Sequence, residues 1–152
     1  MVTDSRPQPA CVVDASVLVK LFVPEDGSES ASALLADTRF VRRVVPDLAK
    51  VECANVIWKL AKREILSSDF ARQSVADLNL LPLEVWPAEE LVQSALDLAL
   101  AHGITVYDAM YVALANRLDC PLVTADAALL RKVNGSRSRV YLLGEDMPAT
   151  NT

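Results

Sequence analysis

Cys11-Val12-Val13-Asp14 is an unbroken apolar run that stops at a carboxylate. A strand apolar at every position, rather than at alternate ones, is suited to burial on both faces, the environment of a parallel sheet. The residues that follow, 14–22, carry a short helical pattern that Pro24 stops. The same alternation of short apolar runs and longer helical stretches continues to residue 143. Further helices are expected over residues 26–37, 47–63, 68–80, 87–102, 105–118 and 127–133, and further strands at 44–45, 83–86, 122–123 and 139–143. Strands alternating with helices predict an α/β domain, a mostly parallel sheet with helices on both faces. Ligand sites in such folds lie beyond the carboxyl ends of the strands, at a switch point in strand order.

The chain of 152 residues is the length of one domain. We divide it into a flexible N-terminal segment (1–9), a folded domain (10–143) and a C-terminal tail (144–152). With 52% hydrophobic residues it is too apolar to be disordered. The longest stretch without a charged residue, 98–107, is about half of what a bilayer span needs. Thr3 to Gln8 is polar and the apolar run after it ends at Asp14, so no secretory signal is expected. Cys11, Cys53 and Cys120 form no C-x-x-C pair and are odd in number, which suits reduced thiols and a cytoplasmic protein.

A net charge of −5 argues against broad coating of nucleic acid, though not against a nucleic-acid enzyme with a bound cation. His102 is the one histidine, which removes Ser-His and Cys-His nucleophiles and multi-His zinc sites. Placed before Gly103 at the end of a helical pattern, it suits the helix C-terminus. Any catalytic groups are therefore carboxylates.

Four acids stand out by position. Asp14 directly follows the first strand, and Asp126 lies two residues past Val123. Both also suit a helix N-cap, a role that Ser16 shares. Asp108 heads a helical stripe that continues through Tyr111, Val112 and Ala115, and Thr105 to Asp108 equally fits a capping box. Glu52 shares the edge of its helix with Leu48, Asn55, Lys59 and Lys62; position 56 is Val, so no i+4 ion pair explains it. A solvated face is the plain alternative, and Asn55 suits either orientation of that carboxylate or a phosphate contact. Several carboxylates in one pocket do not all ionise without a cation. An oxygen-only donor set selects Mg²⁺ or Mn²⁺, and the chemistry that fits such a site is phosphodiester hydrolysis.

Four segments carry these acids in order. Val12-Val13-Asp14-Ala15-Ser16-Val17-Leu18-Val19-Lys20-Leu21-Phe22, Pro46-Asp47 with Val51-Glu52-Cys53-Ala54-Asn55-Val56, Thr105-Val106-Tyr107-Asp108-Ala109-Met110-Tyr111-Val112-Ala113-Leu114-Ala115, and Pro121-Leu122-Val123-Thr124-Ala125-Asp126 together resemble the motifs of PIN-domain ribonucleases, specifically VapC-type toxins of bacterial toxin–antitoxin systems. The resemblance spans roughly residues 10–143. It implies a three-layer α/β/α sandwich around the parallel sheet. It also implies an acidic pocket of Asp14, Glu52, Asp108 and Asp126 for Mg²⁺ or Mn²⁺, with Asp14 and Asp108 as direct ligands and Ser16 and Thr124 holding the cluster. The implied activity is metal-dependent cleavage of RNA leaving a 5′-phosphate and a 3′-hydroxyl. A small VapB-like antitoxin is the implied partner, and the Ala-rich helices permit a homodimer. Candidates for RNA backbone contact are Lys20, Arg42, Arg43, Lys59, Lys62 and Arg63; Ala127 and Ala128 stand where relatives often carry a basic residue.

Other readings are weaker. A haloacid-dehalogenase phosphatase needs a second acid where Ser16 stands, and a receiver domain needs an acidic pair beside Asp14 and a strand-end lysine, whereas Lys132 falls in a helix. A catalytically silent PIN-like binding module and a stand-alone RNA-processing nuclease remain as alternatives.

Overall fold

A computed structural model of the protein describes residues 8–147. The N-terminal segment expected to be flexible lies largely outside the described residues, as do the last five residues of the expected tail. The run at Cys11 forms β1 (Ala10–Val13), buried at every position as its composition requires. Among the described residues four further strands complete the sheet: β2 (Arg42–Pro46) and β4 (Leu122–Thr124) pair with β1, β3 (Glu84–Trp86) with β2, and β5 (Val140–Leu142) with β4. All pairings are parallel and the spatial order is β3-β2-β1-β4-β5. The order reverses between β1 and β4, where Val12 is in register with Leu122 and Val13 with Val123. That switch point opens beyond Val13 and Thr124.

Among the described residues seven α-helices flank the sheet in the expected three-layer α/β/α arrangement: α1 (Ala15–Leu18), α2 (Ser28–Ala36), α3 (Ala49–Lys62), α4 (Ser68–Leu80), α5 (Val92–His102), α6 (Val106–Leu118) and α7 (Ala127–Val133). The single helix expected over 14–22 is two pieces, α1 followed by a 3₁₀ turn at Val19–Leu21. The helix expected from Pro87 likewise begins as a 3₁₀ turn, Ala88–Glu90, before α5. Ser67 caps α4 by accepting from the Phe70 amide at 3.1 Å. His102 ends α5, and Gly103 takes the left-handed conformation that closes it.

Helix α6 is the centre of the core. Its residues Ala109 to Ala115 are buried without a break, so the stripe expected from periodicity is a helix covered all round. It packs on β1 and β2 on one side and on α5 on another, while α1 packs against α3 and β4. Through these contacts the starts of α3 and α6 come to the carboxyl end of β1. Met147, where the described chain ends, is also buried, and its carbonyl accepts from Arg39. No helix among the described residues is long and apolar enough to cross a membrane.

Candidate active site

Asp14 leaves β1 at the switch point and is 6% exposed. It occupies the N-cap position of α1 without capping it, because its side chain is engaged elsewhere. The Ser16 hydroxyl donates to Asp14 Oδ2 at 2.8 Å, and the Thr124 hydroxyl donates to the same oxygen at 2.6 Å. Each hydroxyl in turn accepts a backbone amide, Ser16 from Ala125 at 3.0 Å and Thr124 from Asp126 at 3.0 Å. A continuous hydrogen-bonded path thus runs from the loop after β4 to the carboxylate after β1. Ser16 and Thr124 act here as donors to a buried charge rather than as helix caps.

Glu52 lies in the first turn of α3 and is half-buried. Its Oε1 accepts the phenol proton of Tyr111 at 2.7 Å. Asp108 lies in the first turn of α6, where Thr105 is the N-cap: the Thr105 hydroxyl accepts the Asp108 amide at 3.1 Å and donates to Asp108 Oδ2 at 2.9 Å. The carboxylate therefore returns to the cap hydroxyl, a variant of the capping box in which the box partner takes the hydroxyl's proton. Asp126 is an N-cap in full, its Oδ1 accepting the amides of Ala128 at 2.8 Å and Leu129 at 3.2 Å.

The structure brings three of the four acids into one electrostatic unit. Burial pushes the Asp14 carboxyl above the usual carboxylate range, and the charge of Asp108 adds to that against the pull of the Thr124 and Ser16 hydroxyls. Burial also raises Glu52, opposed by the Tyr111 hydroxyl and reinforced by the charges of Asp14 and Asp108. Asp126 stands apart: it is exposed and is not among the charges that raise Asp14 or Glu52. Among the described residues no lysine or arginine pairs with any of the four.

The hydrogen bonds to each acid fall on one oxygen only: Oδ2 of Asp14, Oε1 of Glu52, Oδ2 of Asp108 and Oδ1 of Asp126. As the side chains stand, no three ligating groups among the described residues lie close enough to hold one ion together. Mg²⁺ asks for less, since it is commonly held by one or two carboxylates and keeps several waters. The donor set fits a hard divalent cation in kind and in charge.

The candidate cationic contacts scatter. Lys59 and Lys62 are exposed on α3, the helix of Glu52, with the Lys62 ammonium 5.2 Å from the Trp58 ring centroid. Asn55 is exposed and makes no hydrogen bond to Glu52. Lys20 is tied to Glu25 at 3.2 Å and to the Asp26 carbonyl at 2.7 Å. Arg42 and Arg43 begin β2, at the end of the sheet opposite the acids. Arg42 forms a two-pronged pair with Glu84 at 2.6 and 2.7 Å, and Arg43 donates to the carbonyl of Asp37. Tyr111 is the residue that periodicity missed. Its place in an apolar helical stripe marked it as core, and only the hydroxyl on a buried ring was a signal of anything more.

Comparisons agree with this geometry. Residues 11–135 match the family model of the PIN domain. Ribonuclease VapC3 of Pyrobaculum aerophilum is 41% identical over 123 residues, covering 80% of this chain and 92% of the relative. The solved structure of Mycobacterium tuberculosis VapC20, described as a sarcin-ricin loop cleaving toxin, shares the fold with a TM-score of 0.64 at 16% identity, over 80% of this chain and 93% of that one. A toxin–antitoxin complex from Klebsiella pneumoniae does so with a TM-score of 0.60 at 15% identity, over 86% and 95%.

Proposed function

Because the chain belongs to the PIN-domain family, we propose that it is an endoribonuclease that hydrolyses phosphodiester bonds in RNA, and the toxin of a toxin–antitoxin pair. PIN-domain ribonucleases generally depend on a divalent metal. We assign that ion here as Mg²⁺ or Mn²⁺, held by Asp14 and Asp108, with Glu52 and Asp126 completing the site directly or through water. Residues 10–143 constitute the catalytic domain in this reading.

One observation carries the assignment. At the carboxyl end of the sheet the charge of Asp108 bears on both Asp14 and Glu52, and that of Asp14 on Glu52, with no lysine or arginine among the described residues paired to any of the three. A divalent cation held by these carboxylates would supply the missing positive charge, with the capacity to neutralise a phosphate and to acidify a water. The chain's own residues supply orientation. Ser16 and Thr124 fix Asp14, Thr105 fixes Asp108, and the parallel register of β1 and β4 sets the spacing beneath them. We assign backbone contacts with RNA to Lys59 and Lys62, which project from the helix that carries Glu52.

The partner in this reading is a small antitoxin. Between α3 and α4 lies a mainly apolar groove of about 430 Å³, lined by residues that include Ile57, Trp58, Ala61 and Val75 together with the polar Ser68 and Arg72. A basic side chain of the antitoxin that reached the carboxylates would meet negative charge with positive. Three buried free thiols are consistent with a cytoplasmic protein.

The test is incubation of the purified protein, freed of any partner, with total RNA and Mg²⁺ or Mn²⁺, beside Asp14→Asn, Asp108→Asn and an EDTA control. Discrete cleavage that needs metal and is lost in both variants is expected. Metal binding without cleavage of any RNA would leave a catalytically silent module.

A further inference from the structure

Tyr111 is fully buried within the continuous core stretch of α6, yet it carries a hydroxyl. Packing alone would be served by a phenylalanine of the same shape, since a buried hydroxyl is costly unless it finds a partner. The partner it finds is Glu52 Oε1, at 2.7 Å across 59 residues of sequence, with the phenol donating. Bonds of this kind, to a charged acceptor, are stronger than neutral ones.

Glu52 needs such a restraint. It sits on a half-exposed helix edge with no basic partner among the described residues, facing the charges of Asp14 and Asp108. Left free, a glutamate so placed relieves repulsion by swinging into solvent. Tyr111 and Asp108 lie three residues apart on α6, one helical turn. One rigid helix therefore carries one acid of the cluster and the group that holds another.

We propose that Tyr111 is a positioning residue of the active site, its buried hydroxyl holding Glu52 by Oε1 beside Asp14 and Asp108 and leaving Oε2 to serve the bound cation and its waters. The inference rests on the metal-dependent nuclease reading above. Groups that orient the ligands of a metal typically matter to affinity by roughly ten- to a hundredfold.

The test compares wild type, Tyr111→Phe, Glu52→Asp, Glu52→Ala and the Tyr111→Phe/Glu52→Ala double variant. Mn²⁺ affinity is read by titration calorimetry without RNA, RNA cleavage separately, and unfolding of the metal-free protein as a control. Tyr111→Phe is expected to weaken Mn²⁺ binding roughly tenfold or more. Glu52→Asp, which keeps the charge but withdraws it from the phenol, is expected to lose affinity similarly. In the Glu52→Ala background the loss of the hydroxyl is expected to have no further effect, which a merely structural role would not produce. Wild-type affinity and cleavage in Tyr111→Phe overturn the proposal alone, as does an equal loss with and without Glu52. A wild-type protein that neither binds Mn²⁺ nor cuts RNA overturns the underlying reading, and the proposal with it.

Discussion

The Thr124 hydroxyl donates to Asp14 Oδ2 at 2.6 Å across 110 residues of sequence, at the carboxyl ends of two neighbouring parallel strands. The same hydroxyl accepts the Asp126 amide, so one side chain ties the acid after β1 to the loop after β4. Thr124 is itself fully buried, and its removal leaves a buried carboxylate with one donor fewer. Thr124→Val is expected to destabilise the protein by about 1.5–3 kcal/mol, a typical value for a hydrogen bond to a charged group. Thermal unfolding at pH 7 checks this, and a midpoint equal to wild type would refute it.

The raised carboxyls give the metal-free protein a definite pH dependence. Asp14 and Glu52 bind protons more readily folded than unfolded. Their contribution to stability is therefore most favourable below the ordinary carboxylate range near about 4, and it declines as the pH rises through their raised values. Asp14→Asn, which keeps one acceptor oxygen for the Ser16 and Thr124 hydroxyls but no charge, is expected to raise the metal-free midpoint at pH 7 by roughly 2–4 °C for each kcal/mol relieved. Added Mn²⁺ is expected to stabilise wild type and not the variant. Differential scanning calorimetry from pH 5 to 8, with and without metal, reads both effects.

Burial holds all three thiols out of reach. The thiols of Cys11 and Cys53 are pushed up to about 12 and that of Cys120 to about 11, chiefly by desolvation. The thiolate is the reactive form. Iodoacetamide at pH 8 is expected to leave the folded protein unmodified and to alkylate three positions in guanidinium, as counted by intact mass.

Gly103 offers a control away from the acids. It adopts φ +63°, and an added Cβ would meet nothing within 4 Å. Gly103→Ala is expected to cost roughly 1–2 kcal/mol through the backbone alone. Gly103→Asn should recover part of that loss, since asparagine tolerates the left-handed region. Chemical denaturation of the two variants separates the cases.

The alternation of strands and helices was legible because apolar runs and helical periodicity are local properties of the chain. Each strand and helix falls in a segment whose pattern predicts it, with shifts of a few residues at the ends. The break of the first helix after Leu18 was not legible, nor was the diversion of the Asp14 side chain from capping to Thr124. The second involves β4, which lies more than a hundred residues away. Likewise the helical projection put Glu52 on a polar edge and Tyr111 on an apolar stripe, and each position was right for its own helix. That the two meet is a property of how α3 and α6 pack.

The chain read alone dictates a parallel α/β domain and places Asp14 and Asp126 past strand ends, because strand termination and helix initiation are encoded within a few neighbouring residues. Tertiary structure alone decides which acids share a field and which oxygen of each is held. Asp14, Glu52 and Asp108 share one field, Asp126 caps α7 from its exposed N-terminus, and Arg42 and Arg43 fall at the far end of the sheet. Periodicity specifies the face a side chain occupies, whereas its hydrogen-bond partner is fixed only when distant elements close on one another and a buried polar group must find a donor or an acceptor.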